Sequence, residues 1–259
     1  MKKWLNIKNN LPAPLFMVFL IAAWELITTT LAVPEYILPS PSVIAIALHE
    51  NFSLLVEHSR VTIVAVLGGA ILAMTLALVL ALAMDRWRLL KQAFYPILVV
   101  SQSVPIFALA PLLLIWFGAG LLPKVLIVAL VCFFPLAVNL VEGFSQVDPE
   151  AIDLMHTMQA DRWLIMRSVQ LPSAMPYFFT GLKIAATYSV MGAIIGEWLA
   201  ARAGLGIYML RAMHSFRTSH LFAAIIVVVF LSLALFKLVE ASRWLAMPWQ
   251  RKTTENLKE

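Results

Sequence analysis

The sequence predicts an all-α integral membrane protein with six transmembrane helices and both termini in the cytoplasm. Three observations carry that prediction. Of 259 residues, 62% are hydrophobic and 13% charged, where soluble domains run nearer roughly 45–50% and about 25%. The apolar residues gather into six runs, each close to the roughly 20 residues that a bilayer crossing needs. The lysines and arginines fall between those runs and divide unequally between the two sides they create. The formal net charge of +5 therefore reads as orientation in a bilayer and not as nucleic-acid binding. Cys132 is the single cysteine, so no intrachain disulfide forms and no metal-ligand spacing exists. It reads as a packing residue.

The chain opens MKKWLNIKNN, basic and then apolar, in the manner of a signal peptide. No small-x-small cleavage site follows its apolar run at 13–33, so that run is read as a retained first span. Glu25 is the ionisable residue deep within it. Acids inside the membrane are functional candidates, but this span is peripheral and structural pairing is preferred. Residues 34–60 carry Pro34, Pro39 and Pro41 and then VIAIALHENFSLLVEH, a turn followed by an amphipathic helix on the outer surface. The second span is 61–84, with Gly68 and Gly69 suited to close helix approach.

The third span, 94–117, holds Pro96, Pro105 and Pro111. Prolines in a membrane helix free backbone carbonyls, which is tolerated where the helix lines a cavity or is buried in protein. Gln102 and Ser103 flank Pro105, so this stretch is the candidate lining of a pathway; a kink needed only for packing explains it equally well. Tyr188 and Ser189 of the fifth span join it as pathway candidates. The fourth span is 121–141 and the fifth 174–199, where Gly192-x-x-x-Gly196 forms a small-residue stripe read as intrachain packing ahead of a dimer contact. The sixth is 220–240. Glu142 and Glu197 stand near span ends, where solvation and gate pairing are both open.

With the N-terminus inside, the cytoplasmic cations are Lys2, Lys3, Lys8, Arg86, Arg88, Lys91, Arg162, Arg167, Lys183, Lys237, Arg243, Arg251, Lys252 and Lys258. Outside stand Arg60, Lys124, Arg202, Arg211 and Arg217. That asymmetry fixes the orientation. Residues 202–217 dissent by holding three outer arginines, which points to an ordered surface helix or half-inserted element.

The longest internal cytoplasmic connection contains DLMHTMQADRWLIMRSVQLP, residues 153–172. Asp148 and Pro149 make a helix start, as N-cap and first helical residue, and Glu150 suits the first-turn dipole. Asp161 caps a second short helix beginning at Arg162, and Pro172 ends it, with a bend near 159–161. Leu154, Met155, Met158, Leu164, Ile165 and Val169 give the segment an apolar face. On physical grounds it is equally a membrane-surface helix anchored by Trp163 or a docking element whose methionines form an adaptable contact surface. His156 belongs with that surface and not with a metal, since no partner stands at i+4.

This segment resembles the EAA loop of permeases of ATP-binding-cassette importers: VDP at 147–149, Arg162-Trp163 and Leu171-Pro172 match the loop's fixed points. SQSVPIFALAPLLLIWFGAG at 101–120 and GLKIAATYSVMGAIIGEWLAARAGLGIYM at 181–209 resemble the third and fifth spans of the sulfonate, taurine and nitrate branch. The resemblance implies a type I importer permease (MetI-like) in the inner membrane, divided into an N-terminal region 1–54, a permease domain 55–240 and a tail 241–259. It implies that Glu150, Asp153, Leu154, Met155, Thr157, Met158, Gln159, Ala160 and Arg162 form the coupling helix that docks on an ATPase subunit. The family's Glu-Ala-Ala falls on Asp153, Leu154 and Met155, keeping the charge. Its glycine falls on Gln159, a departure at the bend. DLM, PYFFTGLKIAATYSVMGAIIGEW and YMLRAMHSFRTSHLFAAI look most like permeases for thiamine-pyrimidine precursors.

The chain has no G-x-x-x-x-G-K-[ST] loop, so no cofactor is expected on it; ATP and Mg belong to a separate ATPase, expected in two copies. A homodimer of permeases and an external solute-binding protein complete the implied assembly. A secondary transporter or channel is the alternative from another class, but such proteins place several ionisable residues in mid-span. An intramembrane enzyme ranks last, because the spans offer no H-E-x-x-H and no aspartyl pair.

Overall fold

A computed structural model describes residues 12–200 and 202–249. These form α1 (Pro12–Thr30), α2 (Pro41–Glu50), α3 (Phe52–Arg86), α4 (Arg88–Ser101), α5 (Ile106–Phe117), α6 (Leu121–Ser145), α7 (Pro149–Thr157), α8 (Arg162–Ile165), a π-helical turn (Met166–Gln170), α9 (Leu171–Ala200), α10 (Leu205–His214) and α11 (Thr218–Ala246). Lys2, Lys3, Lys8, Arg251, Lys252 and Lys258, which entered the charge argument, lie outside the described residues, as does the signal-like start.

Helix α6 is the axis of the molecule. Its Ile127, Val128, Cys132, Leu136, Ala137 and Leu140 are fully packed, with α3 along one side and α9 along the other. Glycine makes both contacts close. A Cβ on Gly69 would collide with Val128 of α6, and one on Gly192 would stand 3.1 Å from Val131. The Gly192-x-x-x-Gly196 stripe therefore serves intrachain packing. Cys132 is buried there, its thiol directed at the Ala185 carbonyl of α9 (3.4 Å). Helix α11 lies against α9, and α5 covers the outer part of α6. Large apolar side chains such as Phe19, Val79, Ile115, Phe230 and Leu233 face outward, as they must where the surroundings are lipid.

Among the described residues, four helices are long and apolar enough to cross a membrane: Phe52–Arg86, Leu121–Ser145, the run Arg162–Leu199, and Thr218–Ala246. The expected first span is a shorter apolar helix, α1. The expected third span is broken, because α4 and α5 meet at 101°. Pro105 is the cause: it lacks the amide that would continue the helix, and it stands as the N-cap of α5.

Three expectations need correction. Residues 34–60 are not a turn and one surface helix: α2 ends at Glu50, and α3 already begins at Phe52 as a helix of 35 residues. Pro172 does not end a short helix. The π turn at Met166–Gln170 widens the backbone just before it, so the clash between a proline ring and the carbonyl four residues back is avoided and the helix runs on into α9. Lys183 is not a loop cation. It lies within α9, 3.6 Å from Glu240 of α11 and over the Phe236 ring.

Glu25 finds the structural partner expected of it. Its carboxylate accepts from the Ser42 amide (3.0 Å) and hydroxyl (2.7 Å), closing the first turn of α2 and tying α1 to it. Residues 202–217 hold an ordered helix, α10.

Candidate functional site

The segment after α6 is built by its caps. Asp148 accepts from the Glu150 amide (2.9 Å) and starts α7, with Pro149 at the first helical position. Asp161 accepts from the Leu164 amide (2.9 Å) and starts α8. Between them α7 closes in a Schellman motif: the Ala160 amide donates to Met155 and the Gln159 amide to His156, both at 3.0 Å. The motif needs one left-handed residue, and Gln159 takes it at φ +55°. The bend thus forms where the sequence offers no glycine.

No residue of α7 is buried. Glu150, Asp153, Leu154 and Thr157, at helical spacing i, i+3, i+4 and i+7, are all exposed. Met158, Gln159 and Arg162 are exposed and Met155 and Ala160 half-covered. Leu154 (62%), Met158 (70%) and Trp163 (68%) leave apolar area uncovered beside the acids. Behind α7 a cavity of about 250 Å³ separates this segment from the end of α3, lined by Asp85, Arg86, Ile152, His156, Arg162 and Gln170. Gln170 reaches Asp85 at 3.4 Å. The segment is a projecting, sparsely supported element with an acidic and apolar outer face.

The pathway candidates divide. Gln102, Ser103 and Pro105 sit together and exposed at the α4–α5 break. As residues of the first turn of α5, Ile106 and Phe107 have amides with no intrahelical acceptor. Tyr188 is exposed (46%). Ser189 is buried and donates to the Ala186 carbonyl (2.8 Å), so it faces the packed side of α9. Phe107 of α5 meets Trp198 of α9 with ring centroids 6.2 Å apart.

One polar cluster was not legible beforehand. Glu197, at the far end of α9, is completely buried and not solvated. Its carboxylate accepts from Thr62 of α3 (2.8 Å) and from the Gly206 amide (2.7 Å). The Leu205 amide donates to Thr62 (3.0 Å) and the Gly204 amide to Nδ1 of His58 (2.9 Å). Lys124 of α6 donates to the Ala203 carbonyl (3.4 Å). Gly204 at φ +130° lies so close to Glu197 that any Cβ would collide with its carboxylate. The sequence signal was the Gly204-x-Gly206 pair seven residues beyond the acid. Glu142, by contrast, is exposed.

Comparison with known proteins adds a family, several relatives and a similar fold. Residues 69–243 match the family described as binding-protein-dependent transport system inner membrane component. The formylaminopyrimidine transport permease ThiX of Halalkalibacterium halodurans is 34% identical, covering 92% of this chain and 95% of its own. The riboflavin transport system permease RibX of Chloroflexus aurantiacus is 35% identical, covering 92% and 89%. Permeases named for aliphatic sulfonates in Bacillus subtilis and taurine in Escherichia coli match at 26%. Among solved structures, an amino acid ABC transporter with histidines superposes with a TM-score of 0.60 at 15% identity, over 78% of this chain and 97% of that one. The last likeness concerns the fold alone.

Proposed function

Because the chain belongs to the family of inner membrane components of binding-protein-dependent transport systems, we propose that it is the permease of an importer driven by a separate ATPase docked on α7. The observation that carries this reading is the exposed acidic and apolar face of α7, held out by two caps and a left-handed residue. Nothing on the chain performs covalent chemistry in this reading. Closure of an ATPase dimer moves the docked segment, and the α4–α5 break and α9 change which side of the membrane the pathway opens to. Two permease copies, two ATPase copies and an external solute-binding protein form the assembly, in the inner membrane of a bacterial cell.

A pull-down tests the docking. The wild-type chain is expected to retain an ATPase subunit, and Asp153→Lys to lose it while still inserting in the membrane. Solute uptake that persists in cells lacking any associated ATPase would sink the proposal and favour a secondary transporter.

For the solute we propose a pyrimidine precursor of thiamine, supported by the likeness to the formylaminopyrimidine permease. A second reading, riboflavin, rests on the equal likeness to RibX. Uptake of labelled formylaminopyrimidine and of labelled riboflavin, each with and without this gene, separates the two. Loss of riboflavin uptake alone would reverse the preference.

A further inference from the structure

We infer that the outer face of the chain carries an oxyanion-binding site between α3, α10 and α11. Three helix faces converge on a cavity of about 220 Å³: Asn51, Leu54 and His58 from α3 and its cap, Tyr208, Arg211, Ala212 and Ser215 from α10 and its cap, and Arg217 and His220 at the start of α11. On α10 the spacing is helical, so Tyr208, Arg211 and Ala212 share a face by construction. Two guanidinium groups, two imidazoles, a phenol and a hydroxyl line one small volume. No carboxylate lines it, and among the described residues neither Arg211 nor Arg217 pairs with one.

The donors are held in place. Tyr208 packs between the rings of His58 (5.5 Å) and His220 (6.5 Å), and its hydroxyl lies 3.2 Å from Nδ1 of His220. His58 accepts the Gly204 amide at Nδ1, which leaves the ring N–H on Nε2. Arg211 donates one N–H to the Arg202 carbonyl (3.2 Å) and keeps the rest of its fork. A Schellman turn, with Phe216 left-handed at φ +54° and the Arg217 amide returned to Ala212 (2.9 Å), folds Arg217 back beside Arg211.

The charge pattern argues for a use. Cations are disfavoured on the outer side of a membrane protein, yet this short connection holds Arg202, Arg211 and Arg217. Guanidinium forks suit carboxylate and phosphate geometry, and the volume accepts one such group. The anion comes either free from solution, as phosphate, or as the side chain of an acidic residue on an external protein.

The test uses the full-length protein in nanodiscs at constant ionic strength, titrated with inorganic phosphate and, separately, with N-acetyl-aspartate amide, reading thermal stability. Saturable stabilisation by at least one probe is expected. Arg211→Gln and Arg217→Gln should each weaken it about tenfold, the scale of one charge-assisted hydrogen bond, with each variant's stabilisation measured against its own unfolding without probe. Stronger binding of phosphate assigns a free anion; stronger binding of the aspartate probe assigns a protein side chain. Equal responses in wild type and both variants, or none in the wild type, overturn the inference. No transport or ATPase measurement enters, so the outcome is independent of the proposed function.

Discussion

Gln159 occupies a left-handed conformation that costs an L-residue about 1–2 kcal/mol, and it does so at the bend of the exposed segment. Gln159→Gly should therefore be neutral or stabilise by up to about 1 kcal/mol, since part of the relief is returned as the greater freedom of an unfolded glycine. Gln159→Val, β-branched at positive φ, should destabilise by about 1–2 kcal/mol and weaken retention of the ATPase subunit. Thermal unfolding of the detergent-solubilised protein and the pull-down together check both. Gly204 is the opposite case: at φ +130° and ψ 162° it occupies a region open essentially to glycine alone. Gly204→Ala should cost about 2 kcal/mol or more, visible as a lowered melting temperature, because its Cβ also strikes Glu197. An unchanged melting temperature would mean that the 203–206 loop is not held as described. At this scale the caps at Asp148 and Asp161 were legible, since an N-cap is a local signal. Burial of Glu197 was not, because it depends on a loop folding back from beyond the span end.

Among the elements, the third span shows where apolar runs stop being informative. Length and hydropathy describe one crossing at 94–117; the chain makes two helices of 14 and 12 residues. The prolines marked the place, but proline in lipid kinks or breaks a helix depending on what its neighbours supply. Pro105→Ala restores an amide able to reach the Ser101 carbonyl and should favour a straighter α4–α5 connection. The expected outcome is impaired uptake with ATPase retention intact, and a changed separation between spin labels at 92 and 112. Retained uptake would make the break a packing feature. The same tension appears at Pro172, where the sequence marks a stop and the π turn turns it into a continuation.

For the whole molecule, the glycine contacts of α6 with α3 and α9 make the central three helices one packed body, while faces of α5 and α9 bearing Phe107, Tyr188 and Met191 stay open. In the proposed homodimer, Phe107→Cys should give an oxidant-dependent species of twice the 28.8 kDa chain mass, with buried Cys132 silent in the control. Absence of that species in membranes would argue against this face as the dimer contact. The helical class and most of the spans were legible because lipid enforces them residue by residue, and the projecting segment because its polarity and its caps interrupt that pattern. Pairings such as Lys183 with Glu240 were not, since they join positions far apart in the chain.

The run from Arg162 to the end of α9 is one helix across the π turn. At about 1.5 Å per residue it is a rod of about 57 Å, with the exposed segment at one tip and the buried Glu197 clasp at the other. In the proposed transport cycle this rod joins the docked segment to the far clasp. An outer-face ligand that binds one state of that cycle more tightly should then change how tightly the ATPase subunit is held, by the same factor that docking changes the ligand's own affinity.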